Sequence, residues 1–68
     1  MVTPQEFRLA VKHRLLDMGM NQTQLIAEVR SRTGMYLDRS YLNKIYTGEK
    51  HPAKIITAIR EILDLPAD

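Results

Sequence analysis

The residues of this chain best equipped for chemistry are six cations gathered between positions 30 and 54: Arg30, Arg32, Arg39, Lys44, Lys50 and Lys54, opposed there only by Asp38 and Glu49. That segment carries a balance of +4. Residues 1–29 balance to zero and residues 55–68 to −2, so the whole-chain charge of +2 is concentrated centrally. Guanidinium and ammonium groups clustered in this way suit a polyanion such as a phosphodiester backbone. On charge alone, a solvated face with no partner weighs equally. Other chemistries lack their residue sets. His13 and His51 have no second ligand at metal spacing, and no Ser, His and acid set supplies a nucleophile. No catalytic residue, metal or cofactor is therefore expected. Thr47-Gly48-Glu49-Lys50 has Gly and Lys but no glycine-rich loop after a strand, and reads as a helix exit. Tyr36, Tyr41 and Tyr46 recur every five residues, which scatters them around a helix and favours packing over a stacking platform for single strands.

The elements that must position these cations are helical. With 68 residues, 44% hydrophobic and 26% charged, the chain has ordinary globular composition and room for one core. A single domain over residues 3–65 is expected. The absence of Cys rules out disulfides and thiolate metal sites and fits a reducing, cytoplasmic compartment. The apolar runs are too short to cross a membrane, and Met1-Val2-Thr3-Pro4 does not open like a secretory leader.

Helical periodicity and caps predict four helices near 3–18, 21–33, 38–46 and 52–63, and no strand. The first opens with Thr3 as cap, Pro4 at the first helical position and Glu6 three after the cap, and ends at Gly19. Asn21 caps the second, which runs into the polar Arg30-Ser31-Arg32-Thr33 before Gly34. Asp38 caps a short third helix closed by Thr47-Gly48. The fourth follows Pro52 and stops at Asp64 and Pro66. The expected core is Phe7, Val11, Leu15, Leu25, Ile26, Val29, Leu37, Leu42, Ile45, Ile55, Ile59 and Ile62, with Met18, Met20 and Met35 as filler.

Two consecutive helices, the second short and basic on its outer face, flanked by two that cover their backs, outline a helix-turn-helix domain. Met20-Asn21-Gln22-Thr23-Gln24-Leu25 resembles the start of helix two in the lambda-repressor-like, Cro/CI-type helix-turn-helix family. Leu37-Asp38-Arg39-Ser40-Tyr41-Leu42-Asn43-Lys44-Ile45, followed by Gly48 and Pro52, resembles that family's recognition helix and exit. The resemblance spans roughly residues 7–63. It implies an all-α, compact four-helix fold and a small transcriptional regulator of the phage or mobile-element type. The partner would be double-stranded DNA, bound as a homodimer. About six residues more than the family's short turn precede Leu37, so a lengthened helix two or a wider turn is expected. Where the family pairs Arg on helix one with Glu before the exit Gly, this chain has Leu15 and Tyr46. Replacing an ion pair by apolar and aromatic side chains keeps a contact while removing a desolvation cost.

The resemblance assigns base contacts to Arg39, Ser40 and Lys44, with Asn43 as an addition. Arg39 leads because a guanidinium can pair with O6 and N7 of guanine together. Asp38 reads first as a cap and second as an acceptor from cytosine. Backbone contacts fall on Asn21 and Gln22 at the start of helix two, and on Lys50, His51 and Lys54 after the third helix. Two rival functions stay open: a helical protein-interaction module (an adaptor or antirepressor), and an antitoxin or accessory recombination factor carrying the same domain.

Overall fold

The computed structural model describes residues 3–65. Four α-helices follow one another: α1 (Pro4–Met18), α2 (Gln22–Thr33), α3 (Arg39–Tyr46) and α4 (Ala53–Leu63), with no strand among the described residues. All four predicted helices are present, and three of the four begin with the cap their sequence announces. The Thr3 hydroxyl accepts the Glu6 amide at 3.1 Å, with Pro4 next to it in the first turn. Asn21 Oδ1 accepts the Gln24 amide at 2.8 Å while Gln24 Oε1 accepts the Asn21 amide at 3.0 Å, a reciprocal capping box. Asp38 Oδ1 accepts the Tyr41 amide at 2.8 Å. Only α4 starts without a side-chain cap, after Pro52.

The extra residues before Leu37 divide between a long α2, which reaches Thr33, and an irregular link over 34–38. Gly34, at φ 67°, ends the helix. The Thr33 hydroxyl donates to the Val29 carbonyl at 2.8 Å and accepts the Met35 amide at 3.1 Å, so the backbone leaving α2 is satisfied locally.

At the end of α3 the Glu49 amide donates to the Lys44 carbonyl and the Gly48 amide to the Ile45 carbonyl, a Schellman motif with Gly48 at φ 84°. A Cβ at Gly48 would also stand 2.9 Å from Pro4 Cγ, so this turn is pressed against the start of α1. Gly34 shares the left-handed backbone but has open space where its Cβ would be. Gly48→Ala is therefore expected to cost ~1–3 kcal/mol and more than Gly34→Ala, measured by urea unfolding. Equal costs would show that the Pro4 contact relaxes freely.

One apolar core joins the helices. Phe7, Val11 and Leu15 come from α1, Leu25, Ile26 and Val29 from α2, Leu37 from the link, Leu42, Ile45 and Tyr46 from α3, and Ile55, Ala58, Ile59 and Leu63 from α4. The most extensive packing is α2 on α4, with α1 against both α3 and α4. A radius of gyration of 10.8 Å matches the ~11 Å of a compact chain this long.

The core departs from the sequence expectation at Ile62, Met18 and Met35, which are not enclosed, and at Leu63, Ala58 and Tyr46, which are. Ile62 is half-buried and Leu63 is fully enclosed instead. The Arg14 Nε donates to the Leu63 carbonyl at 2.8 Å, drawing the last turn of α4 onto α1 at that residue. Met18 is exposed, because the chain turns at Gly19 and Met20 folds back onto the core, its amide bonded to the Leu15 carbonyl. Met35 is exposed in the 34–38 link. Of the expected terminators of α4, Asp64 stands at its end at φ 54°, while Pro66 lies outside the described residues.

Tyr46 was not among the twelve expected core residues, yet it is buried, its ring 6.4 Å from that of Phe7. Its hydroxyl has no hydrogen-bond partner among the described residues. Burial pushes this phenol up to about 12, partly countered by Arg8. An acid whose folded value lies above its unfolded value of 10.0 binds more protons when folded, so stability is complete below pH 10 and falls as pH rises toward 12. Tyr46→Phe removes a buried unsatisfied hydroxyl and is expected to stabilise by ~1 kcal/mol while flattening most of this alkaline slope. Urea melts between pH 8 and pH 12 check both effects, and a destabilised Phe variant would mean that the hydroxyl is satisfied in solution.

Candidate nucleic-acid interface

At 3.6 residues per turn, Arg39, Ser40, Asn43 and Lys44 occupy an arc of ~140° on α3, with Ile45 and Leu42 on the far side and Tyr46 bordering the arc next to Arg39. The first four are exposed and the last three buried, so the helix is anchored by its apolar face and offers the polar one. All four expected base-contacting residues of the helix body are thus displayed together.

Asp38 occupies the N-cap, and both of its oxygens are engaged. Oδ1 takes the Tyr41 amide, and Oδ2 accepts a short hydrogen bond from the Tyr36 hydroxyl. The Tyr36 bond, then the Tyr41 amide, hold the Asp38 carboxyl below its usual value, and the same carboxylate raises the Tyr36 phenol.

The loop after α3 is bound to it by backbone. The Glu49 and Lys50 amides both donate to the Lys44 carbonyl, at 2.9 and 3.2 Å. This brings Lys50 to the C-terminal end of the Arg39–Lys44 face, and Lys50 and His51 are exposed. Lys54 is exposed in the first turn of α4, where a cation opposes the positive end of the helix dipole. It borders an open depression of about 460 Å³ between α2 and α4, shared with Arg32, Thr33, Thr57 and Glu61. At the start of α2, the Asn21 side-chain oxygen is committed to the capping box, which leaves the Gln22 and Thr23 amides as those without a protein acceptor among the described residues. Gln22 itself is half-buried.

Arg30 was expected in the central charge and Tyr36 in packing, but the structure exposes Tyr36 and joins the two beside α3. The Tyr36 ring is exposed, bonded to Asp38, and has the Arg30 guanidinium 5.8 Å from its centroid. Its position two before the cap was the available signal. Among the described residues no cluster of His, Asp or Glu could hold a metal, and no helix is long and apolar enough to cross a membrane. No protein-family model, no curated protein and no solved structure matches this chain. Its residues and their geometry carry the functional argument.

Proposed function

We propose that this chain is a small helix-turn-helix regulator of transcription that binds duplex DNA through the exposed face of α3, in the cytoplasm of the cell that makes it. The observation that supports this reading is the Arg39, Ser40, Asn43 and Lys44 face itself. Two turns of helix are held by buried residues, at the centre of the chain's positive charge. Lys50 and His51, in the loop after α3, supply phosphate contacts, and Lys54 at the start of α4 and the free amides opening α2 supply others, fixing register without reading sequence.

Two turns of helix read only a few base pairs, so useful affinity calls for two copies. A symmetric dimer on a palindromic site is expected, with half-sites ~34–36 Å apart. Selection from a random duplex library, repeated at several salt concentrations, tests the reading. A palindromic consensus bound with a steep salt dependence supports it. Saturated footprints with a single unpaired half-site would reject the dimer.

One observation favours a different reading. Leu9 and Leu16, seven residues apart on α1, are 51% and 80% exposed, as suits a face that meets a protein. If the library yields no consensus, the protein-interaction reading becomes the better account.

A further inference from the structure

The link between α2 and α3 holds an arrangement that packing does not require. Leu37 is buried, but its neighbours Met35 and Tyr36 are 39% and 65% exposed. An exposed aromatic ring gains little from the core, yet this one is held at both ends. Its hydroxyl donates to Asp38 Oδ2, and the Arg30 guanidinium lies 5.8 Å from its centroid. Because Asp38 Oδ1 caps α3 through the Tyr41 amide, the ring is bracketed to the first turn of that helix. Arg30, Ser31, Gly34, Met35 and Tyr36 border an open depression of about 450 Å³. Three cations, Arg30, Arg32 and Arg39, stand close in sequence on either side, while the carboxylate of Asp38 is occupied within the protein. A displayed ring and thioether among arginines complement a polyanion that also has an apolar feature.

Duplex DNA has such a feature in its major groove, the 5-methyl group of thymine. We propose that Tyr36, with Met35 beside it, is a base-reading residue outside α3, making apolar contact with the methyl group of a thymine that flanks the base pairs read from the start of the helix. This rests on the duplex-DNA reading above, in which the N-terminal end of α3 approaches base edges. In it Asp38 is a positioning residue, since its two oxygens hold the helix and the ring in one unit.

The test uses the selected duplex. Each thymine is replaced in turn by deoxyuridine, which removes only the methyl group, and affinity is measured for the wild-type chain, Tyr36→Ala and Tyr36→Phe. One thymine in each half-site is expected at which loss of the methyl weakens wild-type binding roughly 3–10-fold, the scale of one buried methyl group. Tyr36→Ala should weaken binding to the intact duplex by a similar factor and be insensitive to that same replacement. Tyr36→Phe should retain the sensitivity, because the ring remains.

The deoxyuridine series on the wild-type chain needs no variant to fold, and far-UV circular dichroism checks the two that are made. A selected duplex with no methyl-sensitive thymine overturns the proposal while leaving the DNA reading intact. So does a thymine whose loss and Tyr36→Ala multiply independently. Unchanged duplex binding by Tyr36→Ala also overturns it and turns this patch toward a protein partner. Failure to select any duplex removes the DNA reading and the proposal with it.

Discussion

Leu15→Ala is expected to remove ~2–4 kcal/mol of folding stability, a large share of what a chain of this length holds. Leu15 is 5% exposed and lies on the α1 stripe with Phe7 and Val11, in the same core as Tyr46. Truncation loses the transfer energy of the side chain and leaves a cavity that four short helices can only partly close. Its neighbour Leu16 is 80% exposed, so Leu16→Ala provides a control differing by one position and expected to fall within ~0.5 kcal/mol of wild type. Urea unfolding followed by circular dichroism measures both. If the two substitutions cost the same small amount, Leu15 does not belong to the core. The expected difference also bears on how Leu15 and Tyr46 share the core. Both side chains are buried at this place, and the ring contact of Tyr46 is with Phe7, so the packing here needs no charge.

Arg39→Ala and Lys50→Ala are expected to differ on DNA even though each removes one positive charge. If Arg39 pairs with a guanine edge, its loss costs ~1–3 kcal/mol on the selected duplex and relaxes preference at one base position, with little effect on random duplex. Lys50 lies past the helix, its amide bonded to the Lys44 carbonyl, where a side chain meets phosphate more readily than bases. Lys50→Ala should weaken selected and random duplex about equally and reduce the magnitude of the salt slope by ~1 for each protomer bound. Titrations of both duplexes at several salt concentrations separate the two behaviours. Parallel losses with unchanged base preference would mean that α3 attracts polyanions without reading them, and would favour a protein partner for the fold.

The caps at Thr3, Asn21 and Asp38 and the glycine stops at 19, 34 and 48 were legible in the amino-acid order, because each is closed by hydrogen bonds to residues a few positions away. Most of the core was legible for a similar reason. Helical periodicity states which side of an element is apolar, and eleven of the twelve expected positions are buried. The Arg39, Ser40, Asn43 and Lys44 face followed as the complement of that stripe on α3. Periodicity is silent, however, on which part of a face a neighbouring helix covers. It could not say that Leu63 rather than Ile62 would be enclosed, nor that Met20 would fold back and leave Met18 outside.

What the sequence by itself determined was local: four helices, their boundaries, their apolar sides and the central surplus of positive charge. What only the tertiary structure decided were the meetings of residues far apart or on irregular backbone. The Arg14 side chain reaches the Leu63 carbonyl across 49 positions, and Gly48 presses on Pro4. The Tyr46 hydroxyl is enclosed with no hydrogen-bond partner among the described residues, and Tyr36 is fixed between Arg30 and Asp38. The physical reason is one of range. Caps and amphipathic stripes arise from backbone geometry within a turn or two, whereas these contacts depend on where whole helices settle when they share one core.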